Sequence, residues 1–132
     1  MNRVVVAIIL GPEKLMLMGQ RRDNTKYTLP AGHCNENEAA HAAVCREVKE
    51  ETGLRVEEAM LVHAGMSAGG KLIYTFICKA SGQLDTTQDP DQEVEHWTWE
   101  DPFDRVQELH VSANENFAIQ WYARHYEILK KM

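Results

Sequence analysis

The pattern of apolar and polar positions along the chain predicts a series of strands and two helices. Arg3 to Leu10 is a β-branched run of the kind found in a buried strand, and Gly11-Pro12 turns it toward a returning strand at Leu15 to Met18. A hairpin is therefore expected at the start. Gln20 to Lys26 is polar and basic, Thr28-Leu29 is a short extended piece, and Pro30-Ala31-Gly32 is expected to stop regular structure and begin a loop. From Glu36 to Thr52 there is neither Pro nor Gly, Ala and Glu dominate, and Asn35 precedes Glu38 by three residues as in a capping box. The spacing predicts a helix over 36–52, closed by Gly53 at the C′ position. Strands follow near Val56 to Met66 and Leu72 to Ala80, separated by the turn Ser67-Ala68-Gly69-Gly70. Ser81 to Gln92 reads as a polar surface loop, and Val94 to Trp99 as one more strand, closed by Pro102. Ser112-Ala113-Asn114-Glu115 is a second capping box, opening a helix whose Phe117, Ile119, Trp121, Tyr122, Ile128 and Leu129 share one broad face.

Composition narrows the function classes. The 132 residues are 44% hydrophobic and 26% charged, with no repeat or linker, so residues 1–132 read as a single domain with its own core. The longest apolar run, Val4 to Leu10, is far short of the roughly 20 residues a bilayer-spanning helix needs. Export is disfavoured too, because Gly11-Pro12-Glu13-Lys14 stands where a small-residue cleavage site would be. Cys34, Cys45 and Cys78 are odd in number and lack C-x-x-C spacing, which fits a reducing, cytoplasmic setting. The formal net charge of -6, with scattered basic residues, argues against a general nucleic-acid binder. An anionic substrate would need its charge neutralised by something else, and a divalent metal held by surplus carboxylates would do so.

Such carboxylates are present. On the first predicted helix Glu47, Glu50 and Glu51 stand at i, i+3 and i+4, within one narrow sector. A solvated face tolerates such a cluster at a few tenths of a kcal/mol per pair, and a hard cation such as Mg²⁺ would use it, completing its shell with water and phosphate oxygens. Val44 and Val48 beside the stripe would anchor it against a sheet.

The spacing distinguishes the two readings. From Gly32 the chain runs GHCNENEAAHAAVCREVKEETGL, which fits G-x5-E-x7-R-E-U-x-E-E-x-G-U, with U aliphatic, at every defined position. Average residue usage gives a chance match on the order of 10⁻¹⁰ per starting position. The segment resembles the Nudix box, and the order of elements around it is similar to that family's fold, an α/β (α+β) arrangement with a mixed β-sheet sandwiched between helices.

This resemblance implies Mg²⁺-dependent hydrolysis, with Mn²⁺ as a substitute, of a nucleoside diphosphate linked to another group. It implies metal ligation by Glu47, Glu50 and Glu51, together with a backbone carbonyl of Ala31 or Gly32. Arg46 would orient the carboxylates and Glu38 would shape the loop. Many members read Pro-Gly-Gly where this chain has Pro30-Ala31-Gly32, a departure that keeps a carbonyl available. The base that accepts the water proton stays open among Glu47, Glu51, Glu93 and Glu95. Arg21, Arg22 and Lys26 are candidates for a phosphate clamp and equally for a solvated loop, and His33 is a candidate substrate contact. Trp97, Trp99, Tyr74 and Phe103 could stack on a base, with core packing expected for at least two of them. His41, His63 and His96 read as surface or packing residues, and Cys34 and Cys45 as small fillers.

The expected substrate is a free (deoxy)nucleoside triphosphate, cleaved to the monophosphate and pyrophosphate. A dinucleoside polyphosphate, a nucleotide sugar or an RNA 5′ end are alternatives, as is a catalytically silent nucleotide sensor. The complete box disfavours the sensor. A homodimer is common among similar proteins.

Overall fold

In the computed structural model, which describes residues 2–86, 89 and 94–101, the first apolar run forms β1 (Arg3–Ile9). Its unbroken β-branched character has a topological cause. It lies inside a four-stranded mixed sheet, between β4 (Ala31–His33), antiparallel to it, and β6 (Leu72–Ser81), parallel to it. Both of its faces are covered, so alternation would serve no purpose. Val5, Ala7 and Ile9 join Phe76 and Cys78 in one core cluster, whereas Val4, Val6 and Ile8 join Ile73 and Ile77 in another. The outer strand β5 (Arg55–Met66) pairs antiparallel with β6, and Ser67 and Gly70 close the turn between them.

The expected opening hairpin is not formed. The second strand, β2 (Met16–Arg21), lies in a separate three-stranded antiparallel sheet, between β3 (Tyr27–Thr28) and β7 (Val94–Glu100). A bridge between Leu10 and Met16 joins the end of the first run to the start of β2. Burial explains this placement. Met16 and Met18 pack into one cluster and Leu17 into the other, so β2 sits where both of its sides are covered.

Two further boundaries differ. Ala31–His33 is not the start of a loop but the edge strand β4, with Pro30 just outside the ladder, accepting the Ala7 N–H at 2.9 Å. The helix α1 (Ala40–Thr52) begins four residues later than the capping pattern suggests. Asn37 takes a left-handed conformation (φ 65°), and Asn35 and Glu38 instead close a turn. In that turn the Glu38 N–H donates to the Asn35 carbonyl and Glu38 Oε1 accepts the Asn35 N–H. Asn35 and Glu38 thus shape the loop before α1 rather than its first turn.

The end of α1 is as expected. Gly53 is left-handed (φ 81°), and its N–H donates to the Lys49 carbonyl. Buried Ala43, Val44 and Val48 press α1 onto the sheet. The chain after β6 folds back over this end, where the Asp85 N–H donates to the Thr52 carbonyl at 2.7 Å. The second predicted helix, with its capping box at Ser112, and Pro102 lie outside the described residues. Among the described residues, no helix is long and apolar enough to cross a membrane.

Candidate active site

The edge strand β4 and the acidic side of α1 face each other, and the site is built at their junction. Gly32 of β4 has no side chain, and the Glu47 carboxylate occupies the space a Cβ would take there. One residue earlier, the Ala31 N–H donates to Glu51 Oε2 at 3.2 Å. The far end of Glu51 is also fixed, since its main-chain carbonyl accepts the Trp97 indole N–H at 3.0 Å. That contact uses one of the carbonyls a helix leaves unpaired at its C-terminus. Strand, helix and the second sheet thus converge on Glu47 and Glu51.

Arg46 organises the entrance. Its guanidinium holds Glu38 through two bonds of 2.9 Å, Glu47 at 2.8 Å and Glu50 at 3.3 Å, and it donates to the His33 carbonyl at 3.0 Å. A planar fork of five donors can serve so many acceptors at once, and an ammonium cannot. The Arg46 bond and the Asn35 N–H pull the Glu38 carboxyl down from 4.5 to about 2. Glu38 therefore adds stability that is complete above pH 4.5 and is lost as pH falls toward 2. Glu38→Gln is expected to be less stable than the parent at pH 7 and to converge with it near pH 2, as read by urea melts across that range.

Glu47 and Glu51 have the opposite character. Burial is the main cause raising both carboxyls, and their mutual hydrogen bond and repulsion push Glu51 well above the usual carboxylate range. Asp89, only 7% exposed, adds to this repulsion at Glu51. Arg46 partly offsets burial at Glu47. Two carboxyls crowded at the edge of β4 offer hard oxygen donors of the kind Mg²⁺ takes. Glu50, with 38% of its side chain exposed, is turned to Arg46, so no three acidic, His or Cys side chains among the described residues yet form a cage.

The other candidates are more dispersed. Arg21 is engaged by Asp23 through two bonds of 3.0 Å, while Arg22 and Lys26 are exposed at the β2–β3 connection. His33 is exposed on β4 and meets Arg46 through its carbonyl. Glu95 is exposed on β7, whereas Glu93 and Phe103 lie outside the described residues. Trp97 is buried in the core, and Trp99 and Tyr74 pack against the same cluster, so these three serve packing. The rings of His41 and Phe76 meet edge-on at 6.2 Å. Cys34 and Cys45 are half-buried fillers, and burial pushes the Cys78 thiol up to about 12.

A family model described as NUDIX domain matches residues 1–124. The chain belongs to the Nudix family. A Caenorhabditis elegans protein named as a nudix hydrolase is 36% identical over 98 residues, 70% of this chain and 27% of that protein. The 8-oxo-dGDP phosphatase of Mus musculus is 32% identical over 100 residues, 73% of this Nudix chain and 31% of its own length. The chain thus spans about a third or less of these two relatives. A NUDIX hydrolase from Nitrosomonas europaea shares the fold, with a TM-score of 0.75 at 22% identity over 93% of this chain and 88% of that one. The segment that fits the Nudix box, Gly32 to Leu54, runs from β4 through α1 to the two residues beyond it.

Proposed function

We propose that this chain hydrolyses a nucleoside diphosphate linked to another group, most simply a (deoxy)nucleoside triphosphate split into monophosphate and pyrophosphate. The observation that carries this reading is the convergence of Glu47, against Gly32, and Glu51, on the Ala31 N–H, at one edge of β4. Mg²⁺, or Mn²⁺ in its place, would be held by Glu47, Glu50 and Glu51 with a carbonyl of Ala31 or Gly32. When bound, the metal neutralises phosphate charge and acidifies a water.

The remaining roles belong to the chain. Arg46 keeps Glu47 and Glu50 aligned on one helix face, and Glu38 holds Arg46 from the other side. Among the candidate bases, Glu47 and Glu51 are the two that stand together at the junction of β4 and α1. We assign the proton of the attacking water to this pair. The name of the mouse relative supports a nucleotide substrate, and the net charge of -6 supports a free nucleotide over a nucleic-acid chain.

The test is a panel of nucleotides incubated in H₂¹⁸O with Mg²⁺, Mn²⁺, Ca²⁺ or excess chelator, with products weighed by mass spectrometry. Turnover is expected with Mg²⁺ and Mn²⁺, poor turnover with Ca²⁺, whose looser shell positions water badly, and one ¹⁸O atom in one product. Full turnover in chelator overturns the assignment. Nucleotide binding without any hydrolysis would favour the sensor.

A further inference from the structure

Away from the acidic stripe, the C-terminal end of α1 carries a concave site of the opposite electrostatic character. A cavity of about 520 Å³ lies between Lys49, Gly53, Arg55 and the segment Ser81–Asp85. Lys49 is two positions from both Glu47 and Glu51, which at 100° per residue places it on the far side of the helix from them. The cavity is thus distinct from the proposed metal site. Its size is within the range of small-molecule pockets.

The lining favours an anion. The Lys49 ammonium donates to the neutral Gly53 carbonyl at 3.2 Å and has no carboxylate partner among the described residues. The Arg55 guanidinium is 78% exposed, and its contact with Glu57 is long, at 3.8 Å. The same Glu57 oxygen accepts the Ser81 hydroxyl at 2.7 Å. Among the described residues Asp85 is the one acidic residue on the wall, with Glu57 behind Ser81, so two cations of the wall meet one of its carboxylates.

A helix C-terminus ordinarily repels anions through its unpaired carbonyls, but here several of those groups are taken. The carbonyls of Lys49, Glu51, Thr52 and Gly53 accept, in turn, the Gly53 N–H, the Trp97 indole, the Asp85 N–H and the Lys49 ammonium. Gly53 and Gly82, both left-handed, leave the wall without side chains. Leu84, 40% exposed, offers an apolar surface at the rim.

We propose that this cavity binds a small phosphomonoester, its phosphate between Lys49 and Arg55 and its organic part against Leu84. The inference does not depend on the hydrolase reading, and the test keeps the two apart. Calorimetric titration of AMP and of inorganic phosphate is done in excess chelator, where the acidic site has no metal with which to hold phosphate. Saturable binding is expected for both, tighter for AMP, and weakened about 10-fold or more in Lys49→Gln and in Arg55→Gln. Leu84→Ser should weaken AMP and leave inorganic phosphate unchanged, while Glu47→Gln should leave both unchanged. Thermal melts establish that each variant folds. No saturable binding up to millimolar ligand, or binding that persists in the Lys49→Gln/Arg55→Gln double variant, overturns the proposal.

Discussion

Glu51→Gln should lower kcat by about 100-fold or more while leaving the metal-free protein as stable as the parent or more so. The two effects have one cause. Glu51 is crowded by Glu47 and Asp89 in a largely desolvated site, so its ionised form is costly in the fold. A carboxyl whose pKa is raised on folding stabilises below the ordinary carboxylate range, and that contribution is lost as pH rises toward and past the raised value. Glutamine keeps the size, the helix propensity and the bond from the Ala31 N–H, but removes the charge and the basicity. A 100-fold loss corresponds to about 2.7 kcal/mol of transition-state stabilisation. Glu47→Gln should show a similar loss, whereas Glu58→Gln, exposed on β5 and 3.8 Å from Lys79, should turn over like the parent. Steady-state kinetics at saturating Mg²⁺, with chemical melts of the metal-free proteins, measure both quantities. Near-normal turnover in both Glu47→Gln and Glu51→Gln would reject the metal-site reading and favour the sensor.

What the chain discloses by itself follows the range of the interactions involved. The acidic stripe, the anchoring Val44 and Val48 and the terminating Gly53 are all set within one helix, where spacing translates directly into geometry. The strands that continue past Gly53 are legible for a similar reason, because β5 and β6 are joined by a short turn and pair with each other. The partnership of β1 is different. An unbroken apolar run says that both faces are buried but not which strands flank it, and β6, about seventy residues later, is the parallel neighbour. The start of α1 fails on a competition. Glu38 looks like the third residue of a helix, yet Arg46, eight residues on, holds its carboxylate in the preceding turn. Asp89 was hidden by its surroundings, since nothing in the polar stretch from Ser81 to Gln92 marks one carboxylate as buried beside Glu51. The role of Trp97 in holding the end of α1 is likewise invisible before the two sheets are assembled.

The glycine that opens the box gives the second large effect. Gly32 is not among the left-handed residues, so its backbone would accept any side chain; what excludes one is the Glu47 carboxylate lying in the Cβ position. In Gly32→Ala the methyl group must displace that carboxylate, while the bonds pairing β4 with β1 are main-chain bonds and survive. Glu47 has a way out, because its side chain is 15% exposed and Arg46 can follow it toward solvent. Stability should therefore change by less than about 1 kcal/mol, whereas kcat should fall by about 10- to 100-fold, or about 1.4 to 2.7 kcal/mol, with more Mg²⁺ needed for half-maximal rate. Ala31→Gly is the control, since it keeps the N–H to Glu51 and adds no atoms at the junction; its rate should stay within a few-fold of the parent. Mg²⁺ titrations of the initial rate distinguish the cases. If Gly32→Ala keeps the parent's rate and Mg²⁺ dependence while Glu47→Gln is inactive, then Glu47 does not work from the position against Gly32, and the ligand geometry proposed for it is wrong.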